Sequence, residues 1–246
     1  MDRMVYVAMT GAREAMHALT VNTHNLANAT TPGFRADLAQ ARSMPVFGPG
    51  HATRAYAMTE RPGHDLNPST IHTTGRPLDV GIGGEGWLAV QDARGNEAYT
   101  RRGDLQTTVN GILVNGAGQP VLGNGGPIAL PPARSVEIAG DGTISILPMG
   151  QDAAALVTVD RLKLVNPPAA GMEKGEDGLF RQRNGEPAEA DAAVQVVSGG
   201  LETSNVSAVA AMTEMMTLSR NFEFQLKVME TAKQTSEHAA TILRIS

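Results

Sequence analysis

Few residues in this chain have the types and spacing that enzyme chemistry requires. Gly81, Gly83 and Gly86 fit the G-x-G-x-x-G pattern of dinucleotide-binding loops. In such sites the loop opens a helix, and the N-terminus of that helix holds the pyrophosphate. Here the glycines precede Trp87-Leu88-Ala89-Val90, which has the composition of a strand. We therefore interpret the pattern as a tight turn and expect no cofactor.

The histidines and carboxylates also lack a catalytic or metal-binding arrangement. The six histidines are His17, His24, His51, His64, His72 and His238. None belongs to an H-E-x-x-H motif or another metal-ligand spacing. His64-Asp65 and Asp79 could form an acid–base group, but no nucleophile elbow or paired-carboxylate motif accompanies them. We expect no metal site, no catalytic residue and no small-molecule substrate.

Composition excludes several further classes of function. The chain has 246 residues, 41% hydrophobic residues, a net charge of −5 and no cysteine. The absence of cysteine excludes disulfides, thiolate catalysis and cysteine-ligated zinc. No basic strip with interleaved aromatic residues exists, so we expect no nucleic-acid binding. The sequence contains no run of about 18 apolar residues, so we expect no membrane span. No apolar segment near the start is long enough for the apolar core of a cleavable signal peptide.

Glycine and proline divide the chain into two helical ends and a β middle. All 14 prolines and 26 of the 27 glycines lie between Pro32 and Gly200. Because these residues interrupt regular structure most strongly, their absence predicts two long terminal helices. Between them, short alternating runs such as Thr143-Ile144-Ser145-Ile146 predict strands, and pairs such as Asn110-Gly111 predict hairpin turns. Helical ends around a β middle indicate a subunit that polymerises through its termini.

The C-terminal helix carries an apolar seam with a spacing of three and four residues. We expect Ser204 or Asn205 to cap its start. The seam is interrupted by the polar Gln225 and Ser236. Its apolar members are Ala208, Ala211, Met215, Leu218, Phe222, Met229, Ala232, Ala239 and Leu243. This periodicity is typical of a heptad pattern, so we expect the helix to pair as in a coiled coil.

The N-terminal helix carries a matching seam of smaller side chains. Its members are Met1, Val5, Ala8, Ala12, Ala15, Leu19 and Leu26, with Asn22 as a polar interruption. The helix should stop near Thr31-Pro32-Gly33, because proline disfavours a helical conformation in the residue before it and glycine adopts positive φ easily. An ordinary helix exit explains Pro32 and Gly33 but leaves Asn25 and Asn28 unexplained.

At this helix exit the chain resembles the bacterial flagellar rod and hook proteins, the axial subunits of the flagellum. The resemblance covers both ends, which read NLANATTPGF at residues 25–34 and LETSNVSAVAAMTEMMTLSRNFEFQLKVMETAKQ at residues 201–234. It also covers the middle, in the segments RPLDVGIGGEGWLAV, YTRRGDLQ, GILVNGAGQPVLG and DGTISIL. Within the family, the opening segment and the modest length resemble the proximal rod type, with the distal rod type as the alternative.

The resemblance implies a structural protein rather than an enzyme. It implies assembly with rod subunits and copies of itself into the shaft that crosses the periplasm. It also implies passage through the flagellar export apparatus without a cleaved signal. The seams and the signature motifs together predict an assembly interface. Its residues are Val5, Ala12, Leu19, Asn25, Leu26, Asn28, Thr31, Pro32, Gly33, Phe34, Ser204, Asn205, Val206, Met215, Leu218, Arg220, Phe222, Glu223 and Met229.

The fold expected from these patterns is α+β, with two terminal helices paired as a coiled-coil-like inner domain around a central all-β domain. The expected segments are residues 1–36 and 201–246 for the helices and residues 37–200 for the β-rich middle. The alternative from another class of function is a periplasmic hydrolase or carbohydrate-binding β domain with helical flanks. That alternative needs a polar pocket with a perturbed titratable group.

Overall fold

The computed structural model describes residues 2–46, 55–60, 63–149 and 156–245. The chain forms two compact units. The first, here called the helical unit, comprises residues 1–29, 36–65 and 206–246. The second, called the β unit, comprises residues 30–35 and 66–205. The segment boundaries expected at residues 36 and 200 stay a prediction.

The helical unit contains both long helices and one β-hairpin. Helix α1 spans Asp2–Ala27 and helix α2 spans Ala208–Ile245. Strands β1 (Gln40–Pro45) and β2 (Ala55–Glu60) pair antiparallel, and β2 contacts α1. Helix α2 begins later than Ser204 or Asn205: the backbone N–H of Ala211 bonds the carbonyl oxygen of Ser207 at 2.9 Å, and Ser207 Oγ accepts from the N–H of Ala210 at 3.4 Å. Ser207 is therefore the N-cap.

The overall α+β class agrees with the structure, but the predicted coiled-coil-like pairing is wrong. A coiled coil buries a continuous row of large side chains along both helices. In the predicted α2 seam only the small Ala211 and Ala232 are buried, whereas Met215 and Phe222 remain partly exposed. The physical reason is that apolar spacing identifies one face of a helix without specifying what covers it. Here α1 offers mostly alanine, which permits close contact but supplies no large interlocking side chains.

The β unit is built from short antiparallel strands. The strands are β3 (Ile71–Thr73), β4 (Val80–Gly83), β5 (Trp87–Gln91), β6 (Glu97–Thr100), β7 (Gln106–Thr107), β8 (Leu113–Val114), β9 (Leu122–Gly123), β10 (Gly126–Pro127), β11 (Ala133–Ile138), β12 (Thr143–Pro148), β13 (Val157–Arg161), β14 (Leu164–Val165), β15 (Met172–Lys174), β16 (Phe180–Gln182), β17 (Gln195–Ser198) and β18 (Gly200–Glu202). The largest sheet has the order β14-β5-β6-β16-β15, and a second has the order β11-β12-β13. The remaining strands form the pairs β17–β4, β18–β3, β7–β8 and β10–β9. A short 3₁₀ helix, Ala169–Gly171, precedes β15.

Strand β5 lies at the centre of the β-unit core. Its side chains alternate between two buried clusters: Trp87 and Ala89 belong to one, and Leu88 and Val90 belong to the other. Because both faces of the strand are covered, its sequence is a continuous apolar run rather than an alternating one. The ring centroids of Trp87 and Phe180 lie 4.5 Å apart in the first cluster. Trp87 is buried and anchors this cluster.

Candidate assembly surface

Helices α1 and α2 contact each other through small and polar residues. Gln225 lies directly over Gly11, so that a Cβ added to Gly11 would be 3.0 Å from the Gln225 side chain. Nearer the start of α2, the side-chain amide of Asn22 donates to the carbonyl oxygen of Ala211 at 2.8 Å. Asn22 is only 5% exposed. Two of the polar interruptions noted in the sequence, Asn22 and Gln225, are therefore contact points within the helical unit.

The predicted interface residues on the helices fall into three groups by burial. Ala12 is buried, and a further group is partly buried: Val5, Leu19, Leu26, Met215, Leu218, Phe222 and Met229. Arg220 and Glu223 are exposed. The partly buried group follows the seams within the helical unit, while the two charged residues lie on its surface.

Large apolar side chains that the seams do not include cover other faces of both helices. Val209 is 77% exposed and Phe224 is 64% exposed. The remaining members, each at least 45% exposed, are Met4, Tyr6, Met9 and Met16 on α1 and Met212, Met216 and Leu226 on α2. Large apolar side chains that are exposed together on the same elements mark a site of association. We call these nine residues the outer apolar surface.

The asparagines at the end of α1 hold the chain reversal that follows the helix. The Asn25 amide donates to the Asp37 carbonyl oxygen at 2.8 Å, and its side-chain oxygen accepts the Asp37 N–H at 2.9 Å. The Asn28 side chain donates to the carbonyl oxygen of His24 at 3.0 Å. The Asp37 carboxylate contacts two histidines: Nδ1 of His24 lies 2.9 Å from one of its oxygens, and Nδ1 of His64 lies 2.9 Å from the other. These bonds explain why two asparagines flank Leu26-Ala27.

Apart from Val206, which begins the last segment of the helical unit, the remaining signature residues lie in the β unit. Gly33 has a φ of +66°, and its N–H donates to the carbonyl oxygen of Glu202 at 2.8 Å. The N–H of Asn205 donates to the carbonyl oxygen of Phe34 at 3.3 Å, which joins the two signatures directly. Lys174 lies 4.2 Å from the centroid of the Phe34 ring. Pro32 and Val206 are partly buried, and Ser204 is buried.

A buried ionic cluster beside these segments was not predicted. Glu202 accepts a hydrogen bond from Arg35 at 2.5 Å and one from Arg101 at 3.1 Å. Burial lowers the pKa of Arg101, Glu202 opposes this shift, and the Arg35 charge adds to it. Nη2 of Arg101 donates to the Gly84 carbonyl oxygen at 2.8 Å. Arg35 directly follows one quoted segment, and Arg101 and Glu202 lie within two others, but only the fold brings the three together. We call Arg35, Arg101 and Glu202 the buried cluster.

The β unit also has a polar cleft of about 830 Å³. Its walls are the turn after β5 and the loops around β16. Arg181 bonds Asp92 at 2.9 Å and Asp177 at 2.5 Å across this cleft. Burial raises the pKa of Asp92, but hydrogen bonds from Arg181 and from backbone amides outweigh it, and the net shift is downward. Because Asp92 and Asp177 are both held ionised, neither can serve as the protonated acid of a hydrolase.

The other sequence patterns with possible chemistry have structural positions. Gly81 and Gly83 lie in β4, and Gly84 and Gly86 adopt positive φ in the turn before β5, as the tight-turn interpretation predicted. Among the described residues, no group of three histidines and carboxylates has metal-site geometry. His51 lies outside the described residues. Neither α1 nor α2, over its described length, is long and apolar enough to cross a membrane.

Two family models match this chain, and they define its class as that of the flagellar axial structural proteins. The model described as "Flagellar basal body rod FlgEFG protein C-terminal" matches residues 197–242. The model described as "Flagellar hook protein FlgE/F/G D1 domain" matches residues 81–146. The first match contains Glu202 and most of α2, and the second contains Trp87 and Arg101.

Individual relatives narrow this class. The flagellar basal-body rod proteins FlgF of Escherichia coli strain K12 and of Salmonella typhimurium strain LT2 are each 42% identical to this chain over 100% of both sequences. The flagellar basal-body rod protein FlgG of Bacillus subtilis strain 168 is 29% identical over 99% of this chain and 100% of its own. The chain belongs to the flagellar basal-body rod protein family.

Proposed function

We propose that this chain is a structural subunit of the proximal part of the flagellar rod, which polymerises through its two terminal helices and has no enzymatic activity. The full-length identity of 42% to two FlgF proteins, against 29% to a FlgG protein, favours the proximal over the distal rod. Its partners are copies of itself and other rod subunits, with no nucleic acid and no small-molecule substrate.

The outer apolar surface is the observation that carries this proposal. Burying apolar surface contributes about 25 cal/mol per Å². Burial of the exposed Phe224 and Val209 side chains against neighbouring subunits would therefore stabilise the assembly by several kcal/mol. These residues lie on different faces of the helices from the partly buried seams. One subunit can thus contact neighbours on more than one side. Contacts between different patches that do not close into a ring generate a helical filament, as a shaft requires.

The interface predicted from the sequence is part of this proposal. Arg220 and Glu223, both exposed on α2, would form polar contacts at the margin of the apolar contacts. Met215 and Phe222 are partly exposed, so neighbouring helices could complete their burial. Asn25 and Gly33 would act indirectly, by fixing the path of the chain after α1.

The proposal includes the route and the location of the protein. As a rod subunit it would leave the cytoplasm through the flagellar export apparatus, without a cleaved signal peptide. It would assemble where the rod crosses the periplasm. The absence of cysteine is compatible with that route, because an exported chain without thiols cannot form stray disulfides.

Two exposed valines provide a matched test of the assembly surface. Val209 lies in the first turn of α2, where a glutamate is favourable to the helix dipole, so Val209→Glu should leave the helix intact. Val109 is fully exposed in the β7–β8 turn of the β unit and supplies the control Val109→Glu. Both variants would be expressed in a strain from which the gene for this protein has been deleted. Swimming would be measured, and isolated basal bodies would be imaged.

We expect Val209→Glu to abolish swimming and Val109→Glu to support it. Full swimming with Val209→Glu would show that the start of α2 is not an assembly contact. The basal bodies of the deletion strain separate the two rod positions. Loss of the rod next to the membrane supports the proximal assignment, whereas a retained proximal rod that lacks its outer part would move the chain to the distal rod.

A further inference from the structure

The buried cluster joins residues that are far apart in the chain. The Glu202 carboxylate accepts hydrogen bonds from Arg35, from Arg101 and from the backbone N–H of Ser69, the last at 2.7 Å. The side chains of Arg35, Arg101 and Glu202 are at most 2% exposed. Their partners thus come from the beginning, the middle and the end of the β unit.

Glu202 is the last of these groups in chain order. The β unit ends at Asn205, three residues later. In addition to its side-chain bonds, Glu202 accepts the N–H of Gly33 with its own carbonyl oxygen at 2.8 Å and pairs with Ile71 in the β18–β3 ladder. One residue near the end therefore binds both the first segment of the β unit and its interior.

The charges make this binding obligatory. Two guanidinium groups share one carboxylate, so without Glu202 two like charges would be buried together. The Nε and Nη1 atoms of Arg35 and the Nε of Arg101 are buried without a hydrogen-bond partner in the described part of the chain. These donors therefore offer no compensation if the carboxylate is missing. A buried charge without a counter-ion is far more costly than a buried pair.

We infer that Glu202 is a positioning residue that makes closure of the β unit conditional on its last segment. Until residues 200–205 are in place, Arg35 and Arg101 cannot be buried, and the strands beside them cannot reach a stable packed state. The unit stays open while its end is missing and closes when Glu202 arrives. This inference concerns the β unit by itself and holds whatever the helices bind.

Refolding of the full-length chain tests this order. The protein would be diluted from denaturant, and amide protection would be followed by pulsed hydrogen exchange. The N–H groups of Gly33 and Ser69 report the arrival of Glu202. Those of Leu113 and Val121, which bond within residues 113–128, report the interior. We expect all four to become protected in one phase. Earlier full protection of Leu113 and Val121 would overturn the inference.

Substitution of the carboxylate separates ordering from simple stabilisation. Glu202→Gln should shift the unfolding equilibrium towards the unfolded state by about a hundred- to a few-thousandfold, since it removes the carboxylate to which both buried arginines are bonded. Asp177→Asn removes a carboxylate from an ion pair that is 43% exposed on the aspartate side and should shift the equilibrium much less. Equal effects of the two changes would contradict the role of Glu202.

A triple variant keeps the test decisive if Glu202→Gln does not fold. Arg35→Met, Arg101→Met and Glu202→Met together remove every charge of the cluster, and such replacements are often neutral or stabilising. If charge burial enforces the order, Leu113 and Val121 should now become protected before Gly33 and Ser69. A triple variant that still refolds in one phase would show that the cluster stabilises the unit without ordering its closure.

Discussion

Adding a single methyl group at Gly33 should destabilise the β unit strongly. Gly33 adopts a φ of +66°, and a Cβ built there would lie 2.3 Å from both the carbonyl carbon and the carbonyl oxygen of Arg101. Both atoms belong to the backbone, so no side-chain rotation relieves the contact. The Gly33→Ala variant therefore combines an unfavourable backbone conformation with a steric overlap.

The size of the effect follows from three contributions. An alanine at positive φ costs about 1–2 kcal/mol. Overpacking in a close-packed region costs about 1–3 kcal/mol. Moving the chain away from Arg101 by about 1 Å would break the 2.8 Å bond from the Gly33 N–H to Glu202, a loss of about 0.5–1.5 kcal/mol. We expect the free energy of unfolding to fall by about 4 kcal/mol.

Chemical denaturation measures this change directly. Trp87 is the only tryptophan and is buried, so its fluorescence reports unfolding of the β unit. Gly185→Ala is the matched control: Gly185 has a φ of +74°, and a Cβ there would meet nothing within 4 Å. The control should lose only the conformational contribution of about 1–2 kcal/mol. If both variants lost the same amount, the close approach of Gly33 to Arg101 would be refuted.

Three further changes test other parts of the β unit. Trp87→Ala should lower the free energy of unfolding by about 3–5 kcal/mol, because the indole packs on Phe180. Urea denaturation followed by circular dichroism measures this loss, and a loss below about 1 kcal/mol would contradict the anchoring role of Trp87. The pKa of Asp92 is lower in the folded protein, because hydrogen bonds from Arg181 and backbone amides outweigh its burial. The resulting stability is present above about pH 4 and is lost as the pH falls further. Asp92→Asn should therefore reduce the fall in the free energy of unfolding at acid pH, and an unchanged fall would count against the ion pair. Burial raises the pKa of Tyr99 to about 12, so the absorbance titration of the wild type minus that of Tyr99→Phe should show a phenol ionising near that pH rather than near the ordinary value of about 10.

The sequence was a good guide to the helices and to part of their packing. The absence of glycine and proline predicted both helices, and the three–four spacing correctly selected Ala211 and Ala232 as buried positions. The error of a coiled coil arose because periodicity describes one helix at a time. The start of α2 was placed too early, because Ser204, Asn205 and Ser207 are all acceptable caps and local preference does not distinguish them.

The strands were predictable where their side chains are apolar and not where they are polar. The apolar run at Trp87 predicted β5, whereas residues 171–193 contain β15 and β16 although they are polar and rich in glycine. The buried Met172 and Phe180 were the available signal, but glycines and charged residues surround them. The buried cluster had no local signal, because its bonds join residues more than 100 positions apart. The assembly interface stays a prediction.

The bond between Asn22 and Ala211 would have a mechanical consequence in the proposed rod. Small residues at a helix contact present smooth surfaces, so shape alone resists axial sliding only weakly. A slip of one helical turn is about 5.4 Å and would carry the Asn22 amide out of reach of its acceptor. A buried amide without a partner costs about 1–3 kcal/mol, and every subunit that shares the strain would contribute this resistance. The amide therefore opposes sliding of α1 along α2, which in the proposed rod is the shear that torque would produce between the two helices.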